Sequence, residues 1–343
     1  MTGTLALQRL GSAWVVGLAT LAVAFRPKVV VDGQTLDRHV QAMMRLAGQQ
    51  SGSGDAAGAP AIDLPSLRRA MAMMPELMGV ERDGGVVTRE FGAAEGAPVP
   101  VRLFEPPGLK APSGLLVFLH GGGWIAGSVD TYDRLCRHIS ARAGVRLASV
   151  DYRLAPEHPF PAAFDDAAAA FEWVMQTARS WGVDPDRVAI GGDSAGAALA
   201  AAVCVARAAD ARPPARLLWL LYPALDLVTE HESLRQMDGY VFTRAALEWI
   251  VERYVPDGQD RADPRLSPGL CEIAGLPPAH VTVAGFDPLR DQGVAFANRM
   301  GDRATLVVAE GLTHGFADMA GVVPAARAAF NASIAALARA IAA

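Results

Sequence analysis

The chain has 343 residues, 51 % of them apolar and 20 % charged, which suits one large domain with a sizeable core rather than several small ones. A net charge of −5 with no lysine- or arginine-rich block argues against a nucleic-acid partner. Three scattered cysteines, Cys136, Cys204 and Cys271, lack C-x-x-C spacing and argue against a disulfide framework or a zinc site.

At the N-terminus, Leu10 to Phe25 carries no charge and is bracketed by Arg9 on one side and Arg26 and Lys28 on the other. The stretch has the length of a signal h-region and is short for a membrane span. The plainer reading is a greasy helix that docks on the globular body or contacts a membrane surface, leaving the chain cytoplasmic. The other is export, or membrane association, with cleavage near Ala22-Val23-Ala24. Residues 29–47 predict a strand or turn and then a helix, with Leu36, Val40, Met43, Met44 and Leu46 at helical spacing. Residues 48–61 have linker composition. Leu64 to Met78 predicts a second helix, with Asp63 as N-cap, Pro65 in the first turn and a kink or stop near Pro75.

Val86 to Phe91 and Val99 to Phe104 predict a strand pair. Leu115 to Leu119 is continuously apolar and predicts a central strand. Helix over 134–143, strand over 145–150 and helix over 162–179 follow. Val188 to Ile190 is a strand, and Ala197 to Val203 reads as helix. Strands follow at Leu217 to Tyr222, Val281 to Ala284 and Thr305 to Val308, with helices over 289–300 and 324–341. The alternation implies a mostly parallel sheet with helices on both faces, an α/β class. Thr229 to Pro268 interrupts it with one helix, Arg244 to Tyr254. The expected organisation is a core of residues 79–228 and 269–343, with residues 1–78 and 229–268 forming a helical cap over the carboxyl edge of the sheet.

The run Gly192-Asp193-Ser194-Ala195-Gly196 sits between a predicted strand and a predicted helix. That context forces the serine into a sharp turn, with glycines where a Cβ would strike the adjoining strand and helix, and makes Ser194 a candidate nucleophile. A serine hydroxyl needs a base, itself oriented by a third group. Three histidines follow Ser194. His231 lies in the insertion and His280 at the start of a strand, on the wrong edge of a parallel sheet. His314 follows the last strand, at the carboxyl edge. Asp287 leaves the preceding strand directly and is the candidate acid; it also suits an N-cap beside Pro288. Asp291, one turn on, is the alternative. The glycine run in His120-Gly121-Gly122-Gly123-Trp124 can bring backbone amides close to a carbonyl oxygen, as can Ala195 at a helix N-terminus. Neither G-x-G-x-x-G nor a Walker lysine is present there, which argues against nucleotide binding. His120 is expected to hydrogen-bond locally and hold the loop. Arg153 and Glu157, in the proline-stiffened stretch Asp151 to Ala162, are expected to form an ion pair.

These segments, with Asp151-Tyr152-Arg153-Leu154-Ala155-Pro156-Glu157-His158-Pro159-Phe160-Pro161-Ala162, Asp287-Pro288-Leu289-Arg290-Asp291 and His314-Gly315-Phe316, resemble the hormone-sensitive-lipase-like branch of the α/β hydrolases. The resemblance spans about residues 85–343. It implies the α/β-hydrolase fold with a cap, and ester hydrolysis without cofactor or metal; the methionines of the cap candidates (Met43, Met44, Met71, Met73, Met74 and Met78) suit an apolar acyl pocket and so favour short- to medium-chain acyl esters. It also implies Ser194 as nucleophile, Asp287 as acid, His314 as base and oxyanion donors at Gly122, Gly123 and Ala195, with His120, Gly121 and Trp124 in support. Two alternatives remain: a deacetylase or amidase acting on a larger substrate, and a non-catalytic small-molecule receptor on the same fold. The implied partner is a small ester, and oligomeric state is not legible.

Overall fold

Parallel strands buried on both faces must be apolar throughout, and the middle of this sheet is. In the computed structural model, which describes residues 16–21, 23–24, 26–46 and 63–342, Ser113–Leu119 (β5) is buried at every position. An eight-stranded sheet runs in the order β10-β9-β8-β7-β5-β6-β4-β3. Its members are Val87–Phe91 (β3), Val101–Glu105 (β4), β5, Arg146–Val150 (β6), Val183–Asp193 (β7), Leu218–Leu221 (β8), Ala279–Phe286 (β9) and Ala304–Thr313 (β10). The ladders β3–β4 and β4–β6 are antiparallel; the rest are parallel. A separate two-stranded hairpin, Val30–Val31 (β1) with Gln34–Thr35 (β2), precedes the sheet.

Side chains alternate across a strand, so β5 feeds two cores. Leu115, Val117 and Leu119 join the cluster with helices Ala162–Thr177 (α4) and Ala195–Ala209 (α5), to which Phe296 and Met300 of Arg290–Met300 (α8) belong. Leu116 and Phe118 join the opposite cluster with Asp133–Ala143 (α3) and Pro324–Ile341 (α9). The predicted core elements are thus all present. The largest difference is length: β7, β9 and β10 extend beyond the apolar stretches that signal them.

Outside the sheet, Arg38–Leu46 (α1) follows the hairpin and Leu64–Leu77 (α2) starts at Asp63, whose side chain accepts from Ser66 N at 2.8 Å. The α2 helix continues through Pro75 rather than ending there. The insertion carries Glu232–Gln236 (α6) and Arg244–Tyr254 (α7), the latter capped by Thr243. The predicted linker over 48–61 lies outside the described residues.

Register brings the loops of the candidate site together. Leu119 pairs with Gly192, so the glycine loop leaves β5 beside the serine turn that ends β7. On β10, two residues more than on β9 lie between the pairs Ala309↔Ala284 and Thr313↔Phe286. This bulge re-aims the strand end and sets His314 beside Asp287.

Candidate active site

Ser194 has φ 51° and ψ −119°, a strained conformation for a residue with a Cβ, enforced by the strand before it and the helix after it. A Cβ on Gly192 or on Gly196 would run into the Leu119 carbonyl, so both flanking positions are held to glycine by close backbone approach. The turn is fixed further by Ser194 N–H donating to Leu221 O at 2.9 Å.

Ser194 Oγ lies 2.9 Å from His314 Nε2, and His314 Nδ1 lies 2.9 Å from Asp287 Oδ2. Asp287 is fully buried and the His314 side chain 11 % exposed. The other Asp287 oxygen, Oδ1, accepts from Leu289 N–H at 2.8 Å, which is the N-cap role anticipated beside Pro288. Asp291 faces elsewhere: it accepts from Ser233 N and from Arg290 Nε. His231 bonds Asp226 in the insertion, and His280 sits at the start of β9, far along the strand from Ser194. The structure therefore brings together the three residues singled out by chain order and leaves the alternatives apart.

A sequence profile of the α/β hydrolase fold matches residues 116–318, more than half of the chain. The chain belongs to the hormone-sensitive-lipase-like α/β hydrolases. It is 39 % identical to the carboxylic ester hydrolase LipN of Mycobacterium tuberculosis, over 89 % of this chain and 83 % of that one. It is 38 % identical to an ethyl acetate hydrolase of Pseudomonas putida, over 67 % of this chain and 74 % of the relative. Among solved structures, the ester hydrolase EH1AB1 from the metagenome of Lake Arreo, complexed with a bipyridine phosphonate derivative, superposes with a TM-score of 0.79 at 33 % identity. That match covers 89 % of this chain and 98 % of the other.

In this hydrolase the glycine loop is locked from several sides. Gly121 N–H donates to Asp193 Oδ1 at 2.7 Å, and the Tyr132 hydroxyl donates to Asp193 Oδ2 at 3.1 Å. His120 Nδ1 bonds Gly121 O at 2.8 Å, its ring stacks on Tyr152 at 4.2 Å, and the Tyr152 hydroxyl donates to His120 O at 2.6 Å. Burial lowers the His120 pKa to about 4, so the ring is neutral and brings no competing charge to the loop. Trp124 is buried and stacks on Tyr254 of α7 at 4.6 Å with the rings 7° from parallel, tying the loop to the insertion. Among the described residues, the amides of Gly122, Gly123 and Ala195 donate to no backbone or side-chain acceptor, so all three remain open to a ligand.

The charges around His314 oppose its desolvation. Burial pushes the imidazole pKa down, but the Asp287 carboxylate, by charge and hydrogen bond, and the nearby charges of Asp193 and Asp318 outweigh it and leave the net shift upward. Burial raises Asp193 to about 6, and burial with the neighbouring Asp193 charge raises Asp318 to about 7. Neither acid was anticipated as part of the site. Asp193 occupies the variable position of the serine motif, and only tertiary contact reveals its bond to Gly121.

One expectation is corrected. Arg153 does not pair with Glu157; it binds Asp166 through a two-toothed contact, with Nη2 2.7 Å from Oδ1. Glu157 instead takes Arg68 of α2 at 2.7 Å through both its oxygens, and that guanidinium holds its carboxyl down at about 2. The nearer residue in sequence loses because the α4 side chain Asp166 also accepts from Arg153 N.

Proposed function

We propose that this chain is a serine carboxylesterase that hydrolyses short- to medium-chain acyl esters through an acyl-enzyme, as its similarity to carboxylic ester hydrolases suggests. Ser194 is the nucleophile, His314 the base and Asp287 the acid that orients it. The Ser194 hydroxyl donates its proton to His314 Nε2 as Oγ attacks the ester carbonyl, while His314 Nδ1–H donates to Asp287 Oδ2. The oxyanion is received by the amides of Gly122, Gly123 and Ala195. The C–O bond to the alcohol breaks, and the alcohol leaves with the proton from His314. Water, deprotonated by the same imidazole, then attacks the acyl-enzyme and frees the acid and Ser194. His120, Gly121 and Trp124 keep the donor loop in place.

The observation that carries the reading is the pair of 2.9 Å contacts joining residues from three separate loops at the carboxyl edge of one sheet. The test is Ser194→Ala assayed on p-nitrophenyl butyrate. Turnover is expected to fall by more than about 10³-fold; hydrolysis surviving in the pure variant overturns the assignment, as does failure of a fluorophosphonate to label Ser194.

Two further readings accompany it. Residues 1–78 and the insertion 229–268 act as a cap, supported by the Arg68–Glu157 contact on one side and the Trp124–Tyr254 stack on the other. The N-terminal segment touches a membrane surface, supported by Leu18 and Leu21, which are 60 % and 67 % exposed and closely followed by Arg26 and Lys28. Among the described residues no helix is long and apolar enough to cross a membrane.

A further inference from the structure

Two side chains from outside the sheet press on the glycine loop. A Cβ on Gly123 would lie 2.6 Å from Cγ2 of Ile250 on α7, and one on Gly122 would lie 3.1 Å from Cε of Met71 on α2. A third, Phe242, meets the His314 ring edge-on with centroids 5.1 Å apart. All three are half-buried, as is Ser194. Two stand against the glycine loop and one against the imidazole, so their partly exposed side chains form a rim around the serine.

The geometry of acyl transfer divides that rim. In the tetrahedral intermediate the former carbonyl carbon carries Ser194 Oγ, the oxyanion, the leaving oxygen and the acyl carbon. The oxyanion faces the amides of 122, 123 and 195. The leaving oxygen must reach the proton on His314 Nε2, so the alcohol lies on the side of the imidazole, where Phe242 stands. The acyl chain departs from the remaining corner, away from His314 and across the glycine loop, past Ile250 and Met71. We infer that Ile250, backed by Met71, gauges the length of the acyl chain, whereas Phe242 gauges the leaving alcohol. This rests on the esterase reading given above.

The two acyl-side residues have different mechanics. Ile250 is β-branched and stiff at χ1 on a helix, so it sets a fixed wall. Met71 is unbranched and adapts its shape, so it closes over whatever chain passes. The site is thus sharply limited at one wall and tolerant at the other, which fits a range of short acyl chains better than a single one.

The experiment uses ratios of kcat/KM, which do not depend on how much of a variant folds. Wild type, Ile250→Ala, Ile250→Phe and Phe242→Ala are compared on p-nitrophenyl acetate, butyrate, hexanoate and octanoate, then on methyl, butyl and hexyl butyrates. Ile250→Ala is expected to raise the octanoate-to-butyrate ratio by about tenfold or more, since one methylene in an apolar pocket is worth at least about tenfold in discrimination. Ile250→Phe should lower it, and both should leave the hexyl-to-methyl ratio within about twofold. Phe242→Ala should do the reverse, changing the alcohol ratio and sparing the acyl ratio. If Ile250→Ala leaves the acyl ratio unchanged, or moves both ratios equally, the assignment of sides is wrong although the esterase reading stands. If wild type hydrolyses none of the panel, that reading itself fails.

Discussion

Asp287 divides its carboxylate between two duties. Oδ1 caps the turn into α8 through Leu289 N, and Oδ2 faces His314. The cap and the charge partner, which compete as explanations at the level of sequence, are satisfied by different oxygens of one group. Asp287→Asn is expected to lower kcat by about 10³–10⁴-fold, because the amide favours the wrong imidazole tautomer. Asp291→Asn, whose oxygens serve Ser233 and Arg290, should stay within about tenfold, as its contacts are structural. Steady-state kinetics on both variants decides between them, and a larger loss in the second reverses the assignment. The charges near His314 give a pH prediction. In the proposed mechanism His314 must be neutral to accept a proton, and its pKa is raised above 6.5, so kcat/KM should fall on the acid side with a midpoint above 6.5. Asp318 contributes to that upward shift, so Asp318→Asn should move the acid limb to lower pH, an effect that a merely structural lesion would not produce. Stability responds in a defined direction too. A carboxyl raised from 3.8 to about 7 binds more protons folded than unfolded between those values, so stability falls as pH rises through that window. Asp318→Asn should therefore raise the melting temperature at pH 8 and leave it unchanged at pH 4. The convergence of Ser194, Asp287 and His314 was legible from motif and chain order. Asp193 and Asp318 were not, because their influence depends on which side chains surround a desolvated imidazole, and no spacing rule encodes that.

Among the elements, α2 is held in an unusual way. None of its residues is fully buried, although Leu64 and Leu67 pack against the core, so apolar burial alone anchors it weakly. Its ties are polar and sit at both ends. Near the start, Arg68 donates to Ile125 O at 2.8 Å and Ala155 O at 3.1 Å and grips Glu157; near the end, Glu76 pairs with Arg134. Between them Met71 reaches Gly122. Removing the Arg68 fork should release the helix without unfolding the sheet. Arg68→Ala is expected to speed limited proteolysis within residues 63–78 by about tenfold, the equivalent of one lost charged hydrogen bond, with little change in the global melting transition. Arg68→Lys should recover only part of the protection, since a point charge cannot reproduce a planar fork. A variant cleaved no faster than wild type would show that α2 is secured by something other than these contacts. The helix itself was legible from Asp63 and Pro65. Its partner was not, because Arg68 and Glu157 are brought together only by tertiary folding. The bulge in β10 is not legible for a related reason: strand periodicity reports which residues are apolar, not how many a neighbouring strand skips.

For the molecule as a whole, the segment before the sheet acts on the loops that carry Asp287 and His314. Leu36 is buried, Asp37 N–H donates to Gly311 O at 2.9 Å just before His314, and Asp32 pairs with Arg290 at 2.8 Å just after Asp287. The Gln34 carboxamide occupies the space above Gly285 at the end of β9. Residues 29–46 therefore help to position these loops. The preceding stretch differs. Its attachment runs through Arg38, which binds the carbonyls of Val23 and Arg26, and through the buried Val16 and Val23, while Leu18 and Leu21 face outward. A chain lacking residues 1–28 should keep kcat/KM on water-soluble p-nitrophenyl butyrate within about threefold, since among the described residues few backbone ties to the body are removed. A chain lacking residues 1–46 should lose activity. If the exposed leucines, with Arg26 and Lys28, meet a lipid surface, the full chain should float with anionic phospholipid vesicles and the shorter deletion should not. Flotation that is lost in high salt would assign the attraction to the two cations; flotation that persists would assign it to the leucines. A full chain that stays in the unbound fraction removes the membrane contact from the account, and a 1–28 deletion without activity places that segment among the parts that hold the catalytic loops.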